Sequence, residues 1–418
     1  MINAPNAGSP SWKPLIFQGL VLAALLIPLF PGVFLAGEAA VPGGLLFERL
    51  PWKCYAPEDM EITKNWPTVE TLVFFNKCYV LTKEALLNGE WPLWNHLEIT
   101  GLPLLANFQS AVFYPPRLLH LLFDIYTGTT LFVLLKLWFA GMTAYCCARV
   151  FRLNAYVACF VSVAWMLSGY NLTWAYWSPP DVSAWAPMLL MGPELILQRY
   201  HRAGFFSLAL GGTLLILAGH PETAFVFGLG VGAYFFLRCA FERRWGRELG
   251  VPMLLAGGAW GLVLLVCSAQ ILPFIEYLPA SSNFVNRPEL EHMQKFLPPS
   301  VTVALWVPRF YGHMADGNYW GDISINTNFV CFLYPGIAVW TGIALLLGRR
   351  GFTNAERHRI LALAAPAVLF FLMAFPVPLL NPIQKLPLLD SMWRCYYVAF
   401  TMLALTFLGG MGYSKWFS

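Results

Sequence analysis

Charge is what this sequence has least of. Only 11% of its 418 residues are Asp, Glu, Lys or Arg, against roughly 25% in an ordinary soluble domain. With 58% hydrophobic residues and a mean hydropathy of +0.59, a water-soluble fold is excluded. The alternation over segments of about ten residues that a membrane β-barrel needs is missing too. So are a P-loop, the dinucleotide-binding glycine fingerprint, a zinc-ligand spacing and a G-x-S-x-G turn, which leaves nucleotide use without support. Basic residues are scattered over short connectors rather than gathered in a patch, so no nucleic-acid partner is indicated. No repeat period or low-complexity segment is visible, and neither a solenoid nor an inverted-repeat transporter finds support.

What the chain does have is long apolar runs, near 15–36, 129–149, 157–174, 182–198, 203–219, 223–241, 251–273, 329–348, 360–376 and 395–414. Runs of about 17–24 residues are long enough to cross the hydrocarbon core as helices. Their connectors alternate in character. Arg149 and Arg152, Arg199 and Arg202, Arg243, Arg244 and Arg247, and Arg349, Arg350, Arg357 and Arg359 fall on one side. By the positive-inside rule that side is the cytoplasm, and Lys13 puts the N-terminus there. Most carboxylates fall opposite, among them Glu70, Glu84, Glu98, Asp124, Asp181, Glu222 and Asp316. The expectation is an all-α polytopic membrane protein with about ten transmembrane helices, residues 1–418 forming one transmembrane unit. The first run is too long for a cleaved signal and reads as a retained anchor.

Two outer loops stand out by length, 37–128 and 274–328, and function is expected there. Within the first, Val69 to Leu87 and Leu102 to Phe123 are amphipathic and read as helices lying in the interface, with Trp52, Trp66, Trp91 and Trp94 at headgroup level. Cys54 and Cys78 in the same loop either pair or stay free. The span cysteines, such as Cys146, Cys147 and Cys239, read as core filling. Lys136 and Glu194 lie inside spans, where an ionisable group is costly unless paired or solvated.

The segment Gly89-Glu-Trp-Pro-Leu-Trp-Asn95, followed by Gly101-Leu-Pro-Leu-Leu-Ala-Asn-Phe-Gln-Ser-Ala-Val-Phe-Tyr-Pro-Pro116, resembles the first-loop signature of the YfhO-like bacterial membrane proteins. Further matches follow in family order: Leu167-Ser-Gly169, Ala218-Gly-His-Pro-Glu222, Leu297-Pro-Pro299, Pro308-Arg-Phe-Tyr-Gly312 and Asn318-Tyr-Trp-Gly321. That family is similar to the GT-C glycosyltransferases. The resemblance implies a multi-pass protein of the bacterial cytoplasmic membrane. It would move a sugar from a polyprenyl-phosphate carrier to a cell-envelope acceptor on the outer face. It also implies an acidic residue in the first outer loop, normally Asp. Counting back from Pro92 lands on Glu70, and Asp59 is the rival. Family members usually continue beyond the point where this chain stops, so it reads as a short member or a fragment.

That chemistry needs a base, cations for phosphate and surfaces for sugar. Glu70 or Asp59 would accept the acceptor proton. His220 and Glu222, on the tight turn Gly219-His-Pro-Glu222, would hydrogen-bond sugar or hold a divalent cation; a merely polar turn is the plain alternative. Arg394 and Arg309 suit phosphate, or in the case of Arg394 snorkel to headgroups. Asn95, Asn107 and Gln109 suit sugar hydroxyls. Tyr114, Tyr319, Trp320 and Trp94 offer flat faces, or form an interfacial belt. A lipid or polysaccharide flippase and a non-catalytic assembly partner stay open as other readings.

Overall fold

The computed structural model describes residues 12–58, 68–98, 100–242, 246–281, 296–321, 331–386, 389 and 392–417. Nearly all regular structure is helical. The main helices are α1 (Lys13–Leu29), α2 (Asn76–Leu87), α3 (Ile125–Val150), α4 (Ala155–Met166), α5 (Ala186–Leu197) and α6 (His201–Leu217). They continue as α7 (Pro221–Phe241), α8 (Arg247–Val266), α9 (Ser268–Tyr277), α10 (Ile337–Gly348), α11 (Asn354–Met373) and α12 (Val398–Trp416). A two-stranded ribbon, β1 (Trp94–Asn95) antiparallel to β2 (Leu102–Pro103), closes the first-loop signature.

Side-chain caps start several of these helices. The Asp124 carboxylate accepts the N–H groups of Tyr126 and Thr127 ahead of α3, and Asn154 accepts that of Val157 ahead of α4. Thr353 and Glu356 form a reciprocal capping box at α11, which meets backbone donors that a helix start leaves unpaired. In hydrocarbon, only structures that satisfy their own backbone are tolerated, and long helices do so.

Each of the ten apolar runs contains helix, several of them broken into two pieces, and among the described residues six helical stretches are long and apolar enough to cross a membrane. They are Ile125–Val150, Ala155–Thr173, Pro221–Phe241, Glu248–Ala280, Cys331–Gly348 and Arg394–Trp416, with a seventh if Asn354–Met373 and the sharply bent Pro378–Gln384 count as one. α1 and α6 are apolar but shorter. Along α8 and α9, Leu254 is 75% exposed, Leu265 71% and Leu272 65%. An apolar stripe of that size has no reason to face water and suits lipid. The chain is a helical membrane protein.

Packing is tight where backbones meet. A Cβ on Gly412 would stand 1.8 Å from the Gly342 carbonyl oxygen, and one on Gly342 would stand 2.3 Å from that of Gly409. α10 and α12 therefore touch through small residues, the usual device for close approach between helices in a bilayer.

One of the two interfacial-helix expectations holds and the other is corrected. Val69 to Leu87 is helical, with a π-turn at Thr71–Phe75 leading into α2. Leu102 to Phe123 is not one helix: it is β2, 3-10 turns at Phe108–Ser110 and Pro115–Leu118, and a short helix Leu119–Leu122. Pro103, Pro115 and Pro116 lack the N–H a helix interior requires. Cys54 and Cys78 are both free; Cys54 is exposed, and burial pushes the Cys78 thiol up to about 11.

The connectors sort into two ends. At one, Gln198 donates to the Val150 carbonyl at 2.9 Å, the Phe241 and His358 rings stack at 5.7 Å, and Lys415 lies 3.5 Å from Glu356. This end carries Arg149, Arg152, Arg199, Arg202, Arg349, Arg350, Arg357 and Arg359. At the other, Gln270 donates to the Leu105 carbonyl at 2.7 Å, Gly169 N–H to that of Tyr334 at 2.8 Å, and Leu297 N–H to that of Ala374 at 2.9 Å. The described parts of the long loops gather there.

Candidate functional site

The first long loop is fastened to the bundle by buried charge. Lys136, in mid-α3, places Nζ 2.5 Å from Asp181 Oδ1 and donates to the Trp177 carbonyl at 3.1 Å. Arg117, from the 3-10 turn of the loop, stands 3.7 Å from Asp181 Oδ2 and donates to the Ser110 carbonyl at 3.2 Å. Its guanidinium lies over the Tyr79 ring at 4.2 Å, a favourable placement for a cation on an aromatic face. His120, beside them, is held neutral: burial, then the Arg117 charge, lowers it to about 3. Asp181 therefore answers two cations, Arg117 and Lys136. Lys136 has the partner that its position in a span demanded, and the clasp joins loop, α3 and the turn before α5.

Beside this clasp, residues from separated segments pack into a largely buried cluster around Tyr396. The His220 ring meets Tyr396 edge-on at 4.5 Å, and Trp174 lies 5.8 Å from it. Glu70 is within electrostatic reach of the same phenol. The Glu222 carboxylate accepts the Trp393 N–H at 3.2 Å, and Tyr170 and Thr223 hydroxyls are 3.4 Å apart. The helix bearing Glu70 is anchored by Thr71, whose hydroxyl donates to the Tyr176 carbonyl at 3.1 Å.

The motif glycines are what let these segments close up. Gly219 has φ +89°, a left-handed conformation that glycine adopts without penalty. A Cβ there would stand 2.7 Å from the Ala111 side chain and 3.3 Å from the Gln109 carbonyl. The Ala218–Glu222 turn thus seats directly on the 107–111 segment. Gly169 likewise leaves room for the Cys331 carbonyl, 2.1 Å from where its Cβ would be.

Glu70 is exposed at the start of its helix and, among the described residues, has no side-chain hydrogen bond or ion pair. The protein around it withdraws enough water to raise its carboxyl above the usual range. His220 is buried, which pushes its imidazole down to about 3. Its Nδ1 accepts the Thr223 N–H, capping α7. A neutral ring accepting at Nδ1 carries its proton on Nε2, so His220 is a donor there.

The other anticipated residues divide. Asn95 is buried and folds the ribbon, donating to Glu98 at 2.9 Å and accepting the Leu97 N–H. Asn107 caps the following turn by accepting the Gln109 N–H at 3.2 Å, and Gln109 itself is half-buried. Tyr114 is not a sugar platform: it is buried, donating to the Asp181 carbonyl at 3.2 Å and accepting from Trp185 at 2.7 Å. Arg394 donates to the Leu389 carbonyl at 3.0 Å, while its buried Nε has no hydrogen-bond partner among the described residues. Arg309, Tyr319 and Trp320 lie in the second loop; Arg309 is exposed and 3.3 Å from Asp316, and Trp320 packs on Phe310 and Tyr311. Asp59 lies outside the described residues.

Among the described residues no three His, Cys, Asp or Glu side chains gather closely enough to hold a metal ion. His220 Nδ1 and one Glu222 oxygen are already taken by backbone N–H groups. Sequence reasoning missed Arg117, Tyr170 and Tyr396. Only Arg117 left a signal, a cation amid the apolar stretch Phe113 to Phe123.

Fold and site together define a helical membrane protein whose first long loop packs on the helices beside a buried cluster around Tyr396. No family model, curated protein or solved structure matches the chain.

Proposed function

We propose that the protein is a GT-C-like glycosyltransferase of the YfhO-like kind. In this reading it moves a sugar from a polyprenyl-phosphate donor to an acceptor on the outer face of the bacterial cytoplasmic membrane. The observation that supports it most is the carboxylate of Glu70, without a side-chain partner among the described residues and within electrostatic reach of Tyr396, the ring on which His220 packs. The wider reading has ten crossings with the N-terminus in the cytoplasm. It draws on the ten helices and on the gathering of the arginine-rich connectors at the end opposite the long loops.

In the reaction, Glu70 takes the proton of the acceptor hydroxyl as that oxygen attacks the anomeric carbon. The bond from that carbon to the phosphate oxygen breaks, polyprenyl phosphate departs with the electron pair, and configuration inverts. His220 Nε2–H and the spare Arg394 Nε–H are the donors that would meet sugar or phosphate oxygens. No step is routed through a metal ion.

The test is transfer of labelled sugar from polyprenyl-phosphate donors to envelope acceptors by the purified protein. Glu70→Gln is expected to abolish it. If Glu70→Gln transfers normally and Asp59→Asn does not, the base is Asp59. Donor binding without turnover identifies a non-catalytic partner, and donor-stimulated flux in proteoliposomes a flippase.

A further inference from the structure

At the arginine-rich end, the termini of α3, α11 and α12 enclose a cavity of about 240 Å³. Arg152, Arg359 and Lys415 line it, with Thr353, Ser414 and one carboxylate, Glu356. Glu356 is turned toward the start of α11, where its oxygen accepts the Thr353 N–H at 2.7 Å and the hydroxyl at 3.0 Å. Arg359 commits only Nε, 2.7 Å from Glu194 Oε1. Its two terminal nitrogens make no other hydrogen bond among the described residues, and they are the fork that pairs with phosphate oxygens.

Arg152 adds a second argument. It holds φ +65° just after α3, the place where glycine usually ends a helix and where an L-residue costs roughly 1–2 kcal/mol. Its N–H reaches the Arg149 carbonyl at 3.0 Å, and that of Leu153 reaches Ala148 at 3.1 Å, completing the helix end. A strained position thus carries a cation on the cavity wall. Around this end Trp416 is 51% exposed, Phe417 71% and Leu347 81%. Basic connectors meet an apolar rim there, the level at which lipid phosphates sit.

We propose that this cavity binds the phosphate of an anionic phospholipid headgroup, of the phosphatidylglycerol or cardiolipin class. Its volume is below the roughly 300–1,000 Å³ of sites for drug-sized ligands, and it fits a phosphodiester rather than a nucleotide. Two guanidinium groups supply most of the charge, the Lys415 ammonium, 3.5 Å from Glu356, adds to it, and the Ser414 hydroxyl is a further donor on the wall. The site is independent of the Glu70 chemistry at the other end.

The experiment is native mass spectrometry of the full chain in neutral detergent, with phosphatidylglycerol, cardiolipin and phosphatidylcholine offered separately. The anionic lipids are expected to be retained about tenfold better than phosphatidylcholine, a difference of roughly 1.4 kcal/mol. Arg152→Gln with Lys415→Gln should erase that preference. Arg152→Gly should raise the melting temperature by relieving the backbone, yet weaken retention of phosphatidylglycerol several-fold; a purely structural Arg152 would leave retention untouched. Equal retention of phosphatidylcholine, or full retention by the variants, overturns the proposal. Displacement of the lipid by low-millimolar inorganic phosphate overturns the lipid as the source of the phosphate.

Discussion

Asp181→Asn is the sharpest probe of how the first loop is held. At an effective dielectric of about 20, the 2.5 Å pairing with Lys136 is worth about 7 kcal/mol of attraction, and the 3.7 Å pairing with Arg117 about 4 more. Burying each ion costs several kcal/mol, so the intact triad contributes little net. Deleting the carboxylate charge alone forfeits the attraction while both cations stay buried, and such one-sided losses run to about 3–5 kcal/mol. The assay is unfolding free energy in mixed micelles titrated with a denaturing detergent. Lys136→Met combined with Asp181→Asn leaves one buried cation instead of two, and should be more stable than Asp181→Asn alone. A loss below about 1 kcal/mol for the single variant, or a double variant no better than it, would refute an electrostatic clasp.

Five other outcomes follow from the same structure. Because surrounding protein raises the Glu70 carboxyl, the acid limb of the transfer rate should lie above the ordinary Glu value of about 4.3, with activity climbing as pH rises through it. The same shift means the folded state loses stability as pH climbs from the unfolded to the folded value, so Glu70→Gln should melt no lower than wild type at neutral pH. Gly412→Val should cost about 1–3 kcal/mol or more by thrusting a side chain into the Gly342 carbonyl, seen as a lowered melting temperature. Thr353→Ala should cost about 1 kcal/mol through loss of the α11 capping box, read by the same melt. A membrane-impermeant maleimide should label exposed Cys54 in intact cells and spare buried Cys78; the reverse pattern contradicts the loop packing.

Much of the helical layout was legible because long apolar runs have few alternatives in a bilayer. The exceptions are physical. α5 spans only Ala186–Leu197, since the prolines at 179 and 180 start a separate short helix and turn. The stretch from Leu102 to Phe123 has an amphipathic look, yet its prolines could have been given more weight than its hydrophobic pattern. At the site, the tight turn at His220 and the carboxylate of Glu70 were visible as residue types at suggestive places. Their convergence on Tyr396 was not, because it depends on contacts between segments far apart in the chain. Asp181 shows the limit most clearly. It read as one carboxylate among many in the outer connectors, and Lys136 as a span cation in need of a partner or solvent, although each is the other's answer.

That clasp also bears on how the chain is made. Tyr114 bonds to Asp181 across 67 residues, so at synthesis rates of about 5–20 residues per second the loop waits roughly 3–13 s before its fastener emerges. During that interval the segment around Arg117 has aromatic and cationic groups without their eventual contacts. A chaperone or insertase engaged in those seconds would govern yield, and ribosome stalling placed before Asp181 should trap the chain with this loop open to protease.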